Sequence, residues 1–146
     1  MPFFLFSLLA LLINPVPQQE NSKLAGQWVG YITQDEGGYR TKYDFELYLY
    51  QQGRNIEGRS YVYVDNIFAE MTLTGRLKAS VYVEFKESEI VDSRQFDGME
   101  WCLKNAQLVL RRKGQEWIME GYWQGLTSFS DCIPGKVYLT KVIPRA

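Results

Sequence analysis

A chain of 146 residues sets the expectation of one domain around one core. Its 16 Lys and Arg are balanced by 17 acids, and its longest basic run is Arg111-Arg112-Lys113, so it lacks the basic footprint that nucleic-acid binding requires. It has no histidine, which excludes Ser-His-Asp and Cys-His catalysis in their usual forms, along with most zinc and copper sites.

In chain order, the first signal is residues 3–13, almost wholly apolar and followed by Pro15, Val16, Pro17 and a polar stretch. This pattern reads as a secretory signal peptide, although no Lys or Arg precedes the run and no A-x-A pattern follows it. A membrane span needs roughly 20 apolar residues, and this run has 11. Cleavage is expected between Asn14 and Ser22, and no cysteine follows the run to accept lipid. The expected organisation is therefore a signal peptide and short linker over 1–22 and a β-barrel domain over 23–146. The localisation is secreted or periplasmic, with no stable membrane insertion after cleavage. Only Glu20 carries charge before residue 23, so the remainder is neutral at 16 against 16.

Aromatic residues make up 15% of the chain, an enrichment that suits half-buried strands. A first strand is expected over 27–34. The next segment alternates, with Tyr43, Phe45, Leu47 and Leu49 on one face and Asp44, Glu46, Tyr48 and Tyr50 on the other. Gln52-Gly53-Arg54-Asn55 reads as a turn into a third strand over 56–65, where Gly58 marks a bulge or bend. Further strands are expected over 68–77, 80–86, 102–112, 115–123 and 135–142. The acid-rich stretch 87–101 is compatible with a long loop, a short helix or a lid. Short strands with hairpin-length links predict an all-β fold, an antiparallel up-and-down meander barrel of about eight strands, whose closure removes exposed edges.

The two cysteines, Cys102 and Cys132, are an even pair in a chain expected to be exported, which reads as a disulfide. A hairpin turning at Lys113-Gly114 places Cys102 near the residue after Trp123, and Cys132 lies in the loop just beyond. Closing that loop stabilises by roughly 3 kcal/mol on chain-entropy reasoning. Two buried thiols are the alternative; two cysteines without histidine do not complete a zinc site.

Leu24-Ala25-Gly26-Gln27-Trp28 places a Gly-x-Trp at the start of the first strand, and in this the chain resembles the lipocalins and the wider calycin group. The resemblance implies that Trp28 closes the base of the barrel, with a basic residue near the last strand, Lys141 or Arg145, packed against it. Gly58-Arg59-Ser60-Tyr61 and Leu73-Thr74-Gly75-Arg76 are similar to the short Gly-centred strands of avidins. The resemblance implies architecture alone, with no ligand.

The residues do not pick out a catalytic group. Glu84 and Glu120 fall in strands, where a solvent face normally carries charge. Asp92, Asp97 and Glu100 lack the spaced ligand pattern of a calcium loop. No catalytic residue, metal or cofactor is expected. The distinctive feature is a second strand face carrying Tyr48, Tyr50, Arg59, Tyr61, Tyr63, Arg76, Tyr82 and Glu84, opposite an aliphatic face that includes Phe45, Leu47, Val62, Leu73, Val81 and Val83. If the aliphatic face fills the core, these eight residues form an outward binding surface of the kind Tyr and Arg favour. If the barrel is inside-out, they line a ligand cavity. A third reading is that tyrosines simply suit strands. The expected function is a non-enzymatic binding module for a small molecule or an extracellular protein. The alternative is a histidine-free hydrolase or isomerase that uses carboxylates and tyrosines in a barrel cavity.

Overall fold

The structure, a computed structural model, describes residues 23–145; the expected signal peptide lies outside the described residues. Eight strands follow in order: β1 (Gly26–Thr33), β2 (Lys42–Gln52), β3 (Asn55–Val64), β4 (Ile67–Lys78), β5 (Tyr82–Arg94), β6 (Leu103–Lys113), β7 (Glu116–Leu126) and β8 (Gly135–Lys141). Each pairs antiparallel with the next, and β8 returns to β1 to close the barrel. The fold is all-β, an eight-strand antiparallel meander.

The period-two pattern explains which face is inside. Phe45, Leu47 and Leu49 of β2, Val62 of β3, Met71 and Leu73 of β4, and Val83 and Phe85 of β5 are buried in one contiguous core. Residues between them, such as Asp44, Arg59 and Lys86, lie on the outer face. The aliphatic face therefore points inward, and the inside-out arrangement is overturned. Val81 departs from the expected core set: it sits in the β4–β5 turn and is exposed. At Gly58 the bend expected from sequence is a close approach. A Cβ built there meets the carbonyl oxygen of Tyr48 well inside contact distance, so only glycine lets β3 fold this tightly onto β2.

The stretch 87–101 is corrected in its first half. β5 runs on to Arg94, paired with β4 through register shifts between Glu70 and Met71 and between Thr72 and Leu73. Glu89 and Asp92 face solvent while Glu87 points inward with Val83 and Phe85, so the density of acids did not end the strand. β5 pairs with β6 only from Tyr82 to Lys86, opposite Val109 to Asn105. Beyond that point the two strands part, leaving an opening in the wall at one end of the barrel.

The β6–β7 hairpin turns at Gly114-Gln115 and pairs Leu103 with Leu126. Cys102 thus stands level with a position three residues later than the turn at Lys113-Gly114 implied. The bridge to Cys132 is present, with an S–S distance of 2.07 Å and Cα atoms 6.4 Å apart. The amide of Cys132 also donates to the carbonyl of Gly125 at 2.9 Å, which holds the returning loop beside β7.

The end where β1 begins is the base. Trp28 is fully buried there, and its indole N–H donates to the Leu24 carbonyl at 2.9 Å. Across the closing seam Lys141 pairs with Trp28 in register, and its ammonium lies 6.0 Å from the ring centroid. Lys141 takes the position expected of it or Arg145. Burial pushes its pKa down, and its Nζ donates to the Lys23 carbonyl at 2.8 Å.

Candidate functional site

The opposite end, the mouth, carries the longer connections: 34–41, 95–102 and 127–134. They border a cavity of about 220 Å³ that is open to solvent on its outer side. Its inner part is made by inward-facing strand residues, Ile32, Tyr43, Val62, Lys104 and Trp123, and its outer part by loop residues that include Trp101 and the disulfide.

The walls are held by hydrogen bonds between loops. The Tyr43 hydroxyl donates to Gln34 Oε1 and accepts from the Arg40 amide at 3.1 Å, and Gln34 Nε2 donates to the Ile133 carbonyl at 3.1 Å. Burial is the main cause raising the Tyr43 pKa, so this hydroxyl stays a neutral clamp. The indole of Trp123 donates to the Thr33 carbonyl at 2.8 Å and that of Trp101 to the Arg94 carbonyl at 3.1 Å. Glu100 accepts from the Ser128 hydroxyl at 2.9 Å, joining the second and third loops. With the polar edges of the aromatic walls occupied, they present apolar faces to the void.

Beneath the mouth lies a buried polar trio. Glu87 of β5 accepts from the Ser60 hydroxyl on one carboxylate oxygen. Its other oxygen accepts from the backbone amide of Lys104 and from the Lys104 ammonium, each at 2.8 Å. The Lys104 and Glu87 side chains are 3% and 0% exposed. The position explains the arrangement: the β5–β6 ladder ends at Lys86–Asn105, and the next amide on β6, that of Lys104, is satisfied by the Glu87 side chain instead of a β5 carbonyl. An ion pair thus fills the place where the wall opens.

The eight residues singled out from sequence lie elsewhere. All are on the outer face, and none lines the mouth cavity. The structure brings four together. Tyr48 and Tyr61 meet edge to face with centroids 5.3 Å apart, the Tyr61 hydroxyl donates to Glu70 at 2.8 Å, and Arg59 lies 3.6 Å from the same carboxylate. Tyr63 stands beside them; burial first and Glu46 second push its pKa well up. The remaining four are dispersed. Arg76 and Glu84 face each other across β4 and β5, but Glu84 pairs with Lys78 at 2.8 Å. Tyr50 and Tyr82 are exposed.

Ser60, Glu87 and Lys104 were missed, and a signal for them exists. Each shares the inward phase of its strand: Ser60 with Ile56 and Val62, Glu87 with Val83 and Phe85, Lys104 with Ala106 and Leu108. A polar residue on an apolar phase asks for a partner, and these three are partners of one another.

The chain matches no family model, no curated protein and no solved structure. Among the described residues, no group of three Cys, Asp or Glu side chains is placed to hold a metal ion.

Proposed function

We propose that this chain is an exported, non-enzymatic binding module of calycin-like design that holds a small molecule in the mouth cavity. The observation that carries the reading is the cavity itself, about 220 Å³, walled by aromatic faces and braced by the disulfide. Its volume lies below the roughly 300–1,000 Å³ of drug-sized sites and above the roughly 150 Å³ that encloses benzene. The ligand is accordingly of one-ring size. In this reading residues 1–22 direct export and 23–146 form the binding domain. The disulfide suits an oxidising, secreted or periplasmic setting. The calycin comparison draws support from Gly26 and Trp28 at the first strand and from Lys141 against the indole. The enzymatic alternative draws less support, because Ser60 is fully buried and bonded to Glu87, away from the void.

The test is titration with ethylbenzene or indole, followed through the indole N–H resonances of the four tryptophans. Trp101 and Trp123 at the mouth should shift, while Trp28 and Trp117 at the base should not. No shift at any of the four would overturn the reading.

A second reading, an outward surface for an extracellular protein, is favoured by the exposure of Tyr50 at 78% and Tyr122 at 63%, and by Tyr82 lying across from exposed Val109. On that reading Tyr48, Arg59, Tyr61, Tyr63, Arg76 and Glu84 form the polar surround.

A further inference from the structure

We propose, resting on the mouth-cavity reading, that the cavity is built for a small neutral carbonyl compound whose oxygen is received by Lys104. The argument begins with the donors of the ammonium. A lysine has three N–H groups. Here one is directed to Glu87 Oε1 at 2.8 Å and one to the Cys102 carbonyl at 3.3 Å. No third acceptor is present among the described residues; the Phe45 ring, 5.6 Å away at its centroid, is the remaining neighbour. Lys104, nearly sealed from solvent and lining the cavity, therefore keeps a donor to spare.

Charge then selects the ligand class. Glu87 already neutralises Lys104, and its oxygens are occupied by Ser60, the Lys104 amide and the ammonium. The other charged residues lining the cavity are Glu100 and Asp131, both acids. An anionic ligand brings another carboxylate to a site with one ammonium and three carboxylates. A cation meets the ammonium, to which it offers no acceptor. A neutral ketone, aldehyde, ester or amide oxygen accepts the spare N–H without adding charge to a low-dielectric site. Trp101, Trp123 and Tyr43 supply flat apolar walls for the rest of such a molecule. A buried ion pair is also a poor choice for stability alone, since apolar residues of similar volume commonly serve as well.

An aldehyde bound this way has its carbonyl carbon beside the amine. Glu87 takes one ammonium proton, freeing the nitrogen lone pair to attack the carbonyl carbon, and returns it as water is lost. Condensation thus converts the ammonium and the aldehyde into a protonated imine and one water. The C=N bond replaces C=O, two ammonium protons leave with the oxygen, and the single positive charge stays opposite Glu87.

The experiment compares acetophenone, ethylbenzene and benzoate, three probes of similar size, by the shifts of the Trp101 and Trp123 indoles. Acetophenone should bind roughly tenfold more tightly than either of the others, the gain of one hydrogen bond to a charged donor. In the double variant Lys104→Met with Glu87→Leu, which leaves no lone buried charge, ethylbenzene should still bind and the preference for acetophenone should disappear. Benzaldehyde followed by cyanoborohydride should place its adduct on Lys104 ahead of exposed Lys78 and Lys136. If acetophenone and ethylbenzene bind the native protein equally, the Lys104 assignment falls and the cavity reading stands. Tightest binding of benzoate would overturn the choice of a neutral ligand, and binding of none of the three would overturn both readings.

Discussion

The base and the mouth of the barrel are made by the same eight strands, yet one is plugged and the other hollow. At the base the links between strands are tight, with Gly53 and Gly114 in their turns at φ values of 60° and 63°. Leu24 and Trp28 are packed there to zero exposure. At the mouth three longer loops extend past the last inward residues, and the aromatic groups they bring form walls instead of a plug. Tryptophan serves both ends, and what differs is its surroundings: Trp28 is enclosed by core side chains, whereas Trp123 and Trp101 border a void. A tightly turned end opposite an end built from longer loops is a common division in β scaffolds.

The largest effect should come from breaking the plug. Trp28→Ala removes a fully buried side chain together with the hydrogen bond to Leu24 and should cost about 3 to 5 kcal/mol in thermal or denaturant unfolding. An unchanged melting temperature would remove the indole from the role of base plug.

Replacing Cys102 and Cys132 together with serine should cost about 3 to 4 kcal/mol by freeing a loop whose ends are 30 residues apart. Its local effect should be confined to the mouth, with the Trp101 and Trp123 resonances perturbed and that of Trp28 left in place. Equal disturbance at both ends would mean that the two are coupled through the core.

The smallest effect belongs to the base turn after β4, where Ala79 and Ser80 adopt φ values of 49° and 61°. Because a Cβ is disfavoured in that region, Ala79→Gly should stabilise the protein by about 0.5 to 1 kcal/mol without altering the mouth. A loss of stability on denaturant unfolding would show that the turn carries no such strain.

The barrel was legible because period-two alternation is written strand by strand, as in 43–50, and needs no knowledge of the partner strand. The disulfide was legible because the β6–β7 hairpin is local; its turn was misplaced since Lys113-Gly114 and Gly114-Gln115 are equally good turn dipeptides. The mouth site was not legible. Its inner wall takes Ile32 from β1, Val62 from β3 and Trp123 from β7, and nothing in any one strand says that these share a void. Glu87 was hidden by its setting among surface acids, although its parity with Phe85 set it apart. The tyrosine face attracted notice by composition, and its polar groups are in large part committed to neighbours, as Tyr61 is to Glu70.

The seam between β1 and β8 has a kinetic consequence. Every other pairing joins strands that are neighbours in sequence, whereas the seam joins Thr33 to Lys136 across 103 residues. Until it zips, the nascent sheet has two bare edges, each able to recruit another chain. Loop-closure entropy makes this step the slow one, and β8 is the last of the eight strands in chain order. The protein should therefore spend its most aggregation-prone interval as an open seven-strand ribbon. Variants that weaken Trp28 under Lys141 should lower the yield of refolding more steeply at high protein concentration than at low.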